Sequence, residues 1–599
     1  MVRRRERFVP PVPKMEEPVK KKPKVDGEDD SDDSDDGDND LQTLQKSLLG
    51  NCLCTVSEAT LYKSFQDPRK SDSDCQFQDF DFSDWDTERI LKFLTCIHIL
   101  CEIYIKQNSD GLMCSRISDV CDALIKNEHG IVDQMVNCLM HNNQFVCYSA
   151  SRALSSYFIV CKTNVDMKWL EKITEFALTT TVPRKMSTTL DVIKRVIEWK
   201  DNSVHPMEDR SNGSHAYLHP MCNATSLLDT ESPDSSEVKC ICIKVLETKW
   251  PELVKKVDGL ISSYTSENEC AIISFLGLWE SIISVKANLS VVDTKPFYSN
   301  LYSFVVILNS SVPSAVWKHL LNLFNEVLCY GSTLALQEYL AEEPCALAHH
   351  VMRSVKDWRL LDLLPFRGGS GRFGGGSGEG DRPLLQKMAL LVLKSVAVTV
   401  KETRYESSSD SSVGSEADDL DADMAVIERS IREVLRQLDN CVKQLLPFHP
   451  ETPIAQWVVQ LFADQDDALV EAMVCCLDVT VGLYYRPTMV PNQSLSPTNT
   501  LIAFLHVVSH DPDVLLDLLV SNETCFLLYL LRILKFMRRN WSEFVSCCSH
   551  ELDDTMSVFI RLRMAIDRLV RRALFPYNIS PVLRLLEKCE ELYEGGTCD

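Results

Sequence analysis

The chain has 599 residues, of which 62 are Lys or Arg and 86 Asp or Glu, for a formal net charge of −24. That length is too great for one compact core and calls for several domains or an extended repeat structure. The acidic balance excludes a protein that coats nucleic acid through its overall charge, and no direct nucleic-acid contact is expected.

Residues 1–45 read as a disordered tail. A basic, Pro-containing head is followed by Asp26 to Asp40, where ten of fifteen residues are acidic. Such a block repels itself and has nothing to bury. Within the head, Arg3, Arg4 and Arg5 precede a second basic run, Lys20, Lys21, Lys22 and Lys24. This layout resembles a bipartite nuclear-import signal, which an importin groove would take as extended chain. No apolar segment follows the arginines, so no signal peptide is expected. The 24 cysteines are scattered and form no C-x-x-C. They are expected to be thiols in a reducing compartment.

From residue 46 to 365 the pattern is helical. Ser83 or Asp84 can cap a helix whose face is drawn by Ile90, Phe93, Leu94, Ile97, Cys101 and Tyr104. Gly130-Ile131-Val132 opens another helix through Met135, Val136 and Leu139. After the polar break His141-Asn142-Asn143 comes a third, carrying Phe145, Val146, Ala150, Ala153, Leu154 and Tyr157. This pair resembles two helices of an armadillo repeat, with Ser149, Ala150 and Ala153 small enough for close packing. Helices are also expected at 165–200, 237–265, 268–285 and about 300–365, with 201–236 a long loop. Residues 366–382 hold a Gly-rich linker, 383–401 a helix, and 402–424 an acidic Ser-rich linker. A second helical array spans 425–545, and a helix pair spans 552–599. No run of alternating apolar and polar residues indicates strands, and no apolar stretch is expected to span a membrane.

The fold expected is therefore all-α: an irregular armadillo/HEAT-like helical solenoid with a disordered N-terminal tail and internal disordered linkers. A search for chemistry gives no catalytic residue and no cofactor site. There is no H-E-x-x-H, no phosphate loop and no G-x-S-x-G elbow. His215, His219 and Cys222, with Cys240 and Cys242 nearby, offer metal-ligand residue types. His219 precedes Pro220, however, and the Cys240/Cys242 gap is short, so no metal is assigned. On the helix from Met556 to Leu574, Arg561, Arg568 and Arg572 share one face with Arg571 beside them, opposite Phe559, Leu562 and Ile566. Acidic partners or phosphates could dock there, although a solvated face gives the same pattern.

The turn Leu574-Phe575-Pro576-Tyr577-Asn578-Ile579-Ser580-Pro581 and the leucine-rich helix after it are similar to the C-terminal region of the Lines family. Leu461-Phe462-Ala463-Asp464-Gln465-Asp466-Asp467 and the stretch from Val514 through Glu523-Thr524-Cys525-Phe526-Leu527 to Trp541 resemble the same family. The resemblance implies a non-catalytic regulator of Wnt-linked developmental transcription in nucleus and cytoplasm. It also implies contact with zinc-finger transcription regulators of the odd-skipped type. An armadillo-like transport adaptor, or a metalloprotein or enzyme whose site is assembled from distant residues, remain the alternatives.

Overall fold

A computed structural model describes residues 36–65, 82–83, 85–127, 130–201, 222–226, 235–285, 295–366, 380–409, 417–483, 495–521 and 523–595. The first helix, α1 (Asp36–Leu49), begins inside the acidic run that the sequence assigns to the disordered tail. Leu41, Leu44 and Leu48 fall on one face, and the burial of that face favours the helix. After α2 (Glu58–Ser64), α3 runs Thr87–Asp110. Its cap is Asp86, whose side chain accepts from the Arg89 N–H at 2.7 Å, and not Ser83 or Asp84. Gly111 ends it in the left-handed region at φ 70°.

Next come α4 (Ser115–Lys126), α5 (Ile131–Cys138) and α6 (Gln144–Cys161). The α5–α6 pair is the one drawn from the sequence, and Asn143 supplies its cap by accepting from Phe145 N–H at 2.9 Å. The array continues with α7 (Met167–Thr179), α8 (Pro183–Glu198), α9 (Ser236–Ser262), α10 (Glu269–Val285), α11 (Leu301–Ile307), α12 (Ser314–Val327) and α13 (Glu342–Trp358). A π-turn, Tyr330–Leu334, lies between the last two. Then follow α14 (Arg382–Ser409), α15 (Ala417–Leu445), α16 (Ile454–Phe462) and α17 (Asp466–Leu483). The C-terminal part holds α18 (Pro497–Val507), α19 (Pro512–Val520), α20 (Phe526–Arg539), α21 (Trp541–Cys548), α22 (Leu552–Arg571) and α23 (Ser580–Tyr593).

Among the described residues the strands are β1 (Leu112–Cys114) and β2 (Ala224–Ser226), paired antiparallel with Met113 opposite Thr225. They form a short ribbon that the missing alternation did not forecast. At three residues a strand is too short to show a period of two. The body is otherwise helical, and the all-α solenoid reading holds.

One row of helices forms a spine, each packed on the next: α1, α3, α6, α8, α10, α12, α14, α17, α20 and α23. A second row, including α5, α7, α9, α11, α13 and α15, lies against it. Spine helices such as α6, α10, α14 and α17 are apolar nearly all round because they have neighbours on several sides. Small polar residues pin the close contacts. Ser156 donates to Glu102 at 2.7 Å between α3 and α6, and Ser281 donates to Glu198 at 2.8 Å between α10 and α8. Trp250, Phe275, Trp279, Phe297 and Phe304 fill one aromatic core, where the Trp279 indole donates to the Phe297 carbonyl at 2.7 Å.

α14 corrects two expectations. By length and composition its Arg382–Arg404 portion could cross a membrane, yet it is mostly buried inside the helical body. The helix is thus part of the spine, packed between α12 and α17, and not an isolated element between linkers. Before it, the Asp381 N–H donates to the Phe366 carbonyl at 2.9 Å, which closes the ends of the Gly-rich stretch onto each other. Residues 367–379 lie outside the described residues, as do 1–35 and 410–416. The acidic linker expected at 402–424 is helical through Ser409 and again from Ala417.

Candidate functional site

Two regions concentrate charge, one exposed and one buried. The exposed one is the arginine face of α22. The apolar side of that helix (Phe559, Leu562, Ile566) is buried, with α22 packed on α19 and α23. The guanidinium of Arg563, at the edge of the apolar side, forms two bonds to Glu590 of α23 at 2.6 and 3.2 Å and locks the pair together. Arg561, Arg568, Arg571 and Arg572 are all exposed, as the helical spacing predicts. Two of them have partners. Arg561 donates to the His510 carbonyl at 3.0 Å, and Arg571 pairs with Asp567 at 2.7 Å. Met564 lies on this same face, between Arg561 and Arg568 at helical spacing, and is 53% exposed. The turn after α22 is held by the Tyr577 hydroxyl, which donates to the Leu519 carbonyl at the end of α19.

The buried region was not forecast. Lys394 of α14 lies 2.7 Å from Glu471 of α17 and also donates to the Asn325 carbonyl at 3.1 Å. The other Glu471 oxygen accepts from the Tyr330 and Gly331 N–H groups at 2.8 and 2.9 Å, which fixes the π-turn. The Tyr330 hydroxyl donates to Asp478 at 2.9 Å, and Arg532 of α20 bridges Asp478 to the Ala335 carbonyl. Lys401 donates to the Leu334 and Ala335 carbonyls at 2.7 and 3.0 Å. Burial pulls the Lys394 ammonium down, but Glu471 outweighs it and holds the group above its ordinary range. Asp478 is raised by burial against the opposing pull of Arg532 and Tyr330. Each of these donors and acceptors therefore serves to fasten a turn between three helices. The sequence signal was Lys394, the one charge in the run from Met388 to Val400.

The remaining sequence candidates separate. Arg3, Arg4, Arg5, Lys20, Lys21, Lys22 and Lys24 lie outside the described residues, as do His215 and His219. Cys222 is brought beside Cys52, Cys54 and Cys114.

Comparison with known proteins gives the kinship. The family model for the Lines N-terminus matches residues 223–548, and that for the Lines C-terminus matches 555–591. Protein lines of Drosophila melanogaster is 40% identical over 685 aligned positions, covering 93% of this chain and 80% of its own length. Protein Lines homolog 1 of Homo sapiens is 27% identical over 258 residues, covering 39% of this chain and 32% of its own. A crystal structure of an engineered protein aligns over 86% of this chain and 98% of its own, with 12% identity and a TM-score of 0.27, too low to carry an argument. The two family models span the spine from β2 to α23, and with the Drosophila relative they identify this chain as a member of the Lines family.

Proposed function

We propose that this chain is a non-catalytic helical adaptor that regulates Wnt-linked developmental transcription through protein–protein contacts, in the nucleus and the cytoplasm. The observation that carries this reading is the exposed arginine face of α22, where Arg561, Arg568, Arg571 and Arg572 share a helix side with the exposed Met564. Positive charge beside an apolar tip suits an acidic helix or loop with one apolar anchor, because the anchor supplies burial and the charges supply orientation. The mount is rigid, since α22 is fastened to α23 by Arg563 and Glu590. The partners proposed are zinc-finger regulators of the odd-skipped type at the helical body and importin at the N-terminal basic runs.

The test is capture of an odd-skipped-type regulator by the full chain and by the triple variant Arg561→Glu, Arg568→Glu, Arg572→Glu. These side chains are exposed, so the variant keeps its fold. A loss of roughly tenfold or more in affinity, about 1.4 kcal/mol, supports the reading, and equal capture overturns it. Independently, changing Lys20, Lys21, Lys22 and Lys24 to Ala together with Arg3, Arg4 and Arg5 is expected to keep a fluorescent fusion out of nuclei.

A further inference from the structure

Four thiols from three distant parts of the chain meet at the start of the helical array. Cys52 and Cys54 occupy the turn that follows α1, Cys114 ends β1, and Cys222 stands two residues before β2. Cys54 and Cys222 are 168 positions apart in sequence, yet their sulfurs are 3.9 Å apart. The Cys52–Cys114 and Cys54–Cys114 sulfur separations are 3.9 and 3.7 Å. All four sulfurs lie within 4.8 Å of one another.

Those lengths discriminate between the two kinds of bond that cysteines make. A disulfide brings its sulfurs to about 2.0 Å. Four thiolates on a tetrahedral zinc ion, each about 2.3 Å from the metal, sit about 3.8 Å from one another. The three edges of 3.7 to 3.9 Å match the second length, and the other three are no longer than 4.8 Å. The geometry points to a structural zinc site formed by Cys52, Cys54, Cys114 and Cys222.

The surroundings suit a closed, four-coordinate site. The Cys54 N–H donates to the Cys52 sulfur at 3.3 Å, a contact that stabilises thiolate charge. Backbone N–H groups of Leu53 and Ile117 also point at the Cys114 sulfur. The turn that carries the first two ligands is itself held in place. The Gln107 amide donates to the Asn51 carbonyl at 2.8 Å and accepts from the Cys114 N–H at 3.0 Å. Arg116 donates to the carbonyls of Leu53 and Val56 on the far side of the same turn. Gln107 is itself buried, so it clasps the Cys52–Cys54 turn to β1 without help from water.

A zinc ion here has a structural task. The β1–β2 ribbon, with three residues in each strand, is too short to hold by itself. Metal binding crosslinks the turn after α1, the end of β1 and the residues just before β2. The chemistry is simple exchange: each coordinating thiol gives up its proton to solvent and its sulfur lone pair to the metal, with no change of oxidation state. In α17, by contrast, Cys475 and Cys476 pack as small apolar residues.

The test uses the full reduced chain purified with zinc present. About one zinc per chain by elemental analysis is expected. Replacement by cobalt should give the intense sulfur-to-metal charge-transfer bands and the ligand-field bands of a tetrahedral tetrathiolate. A strong chelator should lower the melting temperature of the wild type. Cys222→Ser, and Cys52→Ser with Cys54→Ser, should lose both the metal and the chelator response. His215→Ala with His219→Ala, and Cys240→Ser with Cys242→Ser, should keep both. Should a ligand variant fail to fold, the wild-type cobalt spectrum and chelator response decide alone. Wild-type chain with well under one zinc and no cobalt–thiolate bands overturns the site. So does retention of metal by Cys222→Ser with an unchanged cobalt spectrum. A disulfide among the four in the freshly purified reduced chain overturns it equally. None of these readouts depends on a partner protein, so the adaptor reading stands or falls separately.

Discussion

Lys394 and Glu471 form an ion pair 2.7 Å long between two adjacent spine helices, α14 and α17, with the lysine side chain 4% exposed. Removing one partner of such a pair leaves a buried charge alone. Lys394→Met is therefore expected to lower stability by about 3–5 kcal/mol. Adding Glu471→Gln removes the orphaned charge while its amide oxygen still accepts from Tyr330 and Gly331. The double variant should then be more stable than the single one. The midpoint of urea unfolding measures both, and a double variant weaker than the single would show that the pair is not what couples the helices.

Two glycines sit where helices approach too closely for a side chain. A Cβ on Gly482 of α17 would lie 2.1 Å from a methyl of Val400 on α14, and one on Gly331 would lie 2.5 Å from the Cys525 sulfur. Gly482→Ala is expected to push α17 off α14 and cost about 1–3 kcal/mol, as overpacking does. Gly259, in α9, has nothing within 4 Å of the same position. Its replacement by Ala should be neutral or stabilising by up to about 1 kcal/mol. Thermal melts of the two variants should move in opposite directions or differ clearly in size.

Acid should weaken the N-terminal half of the spine through histidines. Burial holds His98 below its ordinary range against the pull of Glu102, with Arg152 and Arg195 adding to the depression. Its Nε2 lies 3.2 Å from the Arg152 guanidinium, a contact that only the neutral ring can accept. His319 is lowered by burial and by Lys194 and Lys387. A lowered folded-state value means that the unfolded chain takes up the proton first. Their stabilising contribution is intact above about pH 6.5 and is lost as pH falls through the lower folded values. The unfolding midpoint should fall between neutral pH and about pH 5, and His98→Gln with His319→Gln should flatten that fall.

The C-terminal helix pair should be part of the folded body. Leu562 is fully buried, and Leu562→Ala is expected to cost about 2–5 kcal/mol. Arg571→Ala, which removes an exposed pair with Asp567, should cost only about 0.3–0.5 kcal/mol. Truncation at residue 550 uncovers Leu534 and Met537 of α20, against which α23 packs. Loss of solubility or a lower melting temperature is expected, and an unchanged melt of the soluble truncation would contradict this packing.

What the sequence disclosed followed from local rules. The α5–α6 pair was legible because its faces and its polar break at Asn143 are set within thirty or so residues. The arginine face of α22 was legible for the same reason. The cap of α3 was displaced because Asp86 is one of several capping residues in a row, and only packing selects among them. Helix α1 was hidden because ten acids outweighed the Leu41, Leu44, Leu48 spacing that was present all along. The buried hub and the thiol cluster were beyond reach in a different way. Glu471 meets Tyr330 across 141 positions, and Cys222 was set beside His215 and Cys240 by nearness in sequence while its partners came from far upstream.

The hydrogen bond from Asp381 N–H to the Phe366 carbonyl brings the two ends of the glycine-rich stretch to one point. The chain could therefore be opened there, or lengthened, without altering how α13 meets α14. Two separately expressed pieces divided within 367–379 should find each other, because the first would present an uncovered apolar trough and the second the helix that fills it. Inheritance of function by such a pair would depend on assembly of the halves and not on the continuity of the backbone between them.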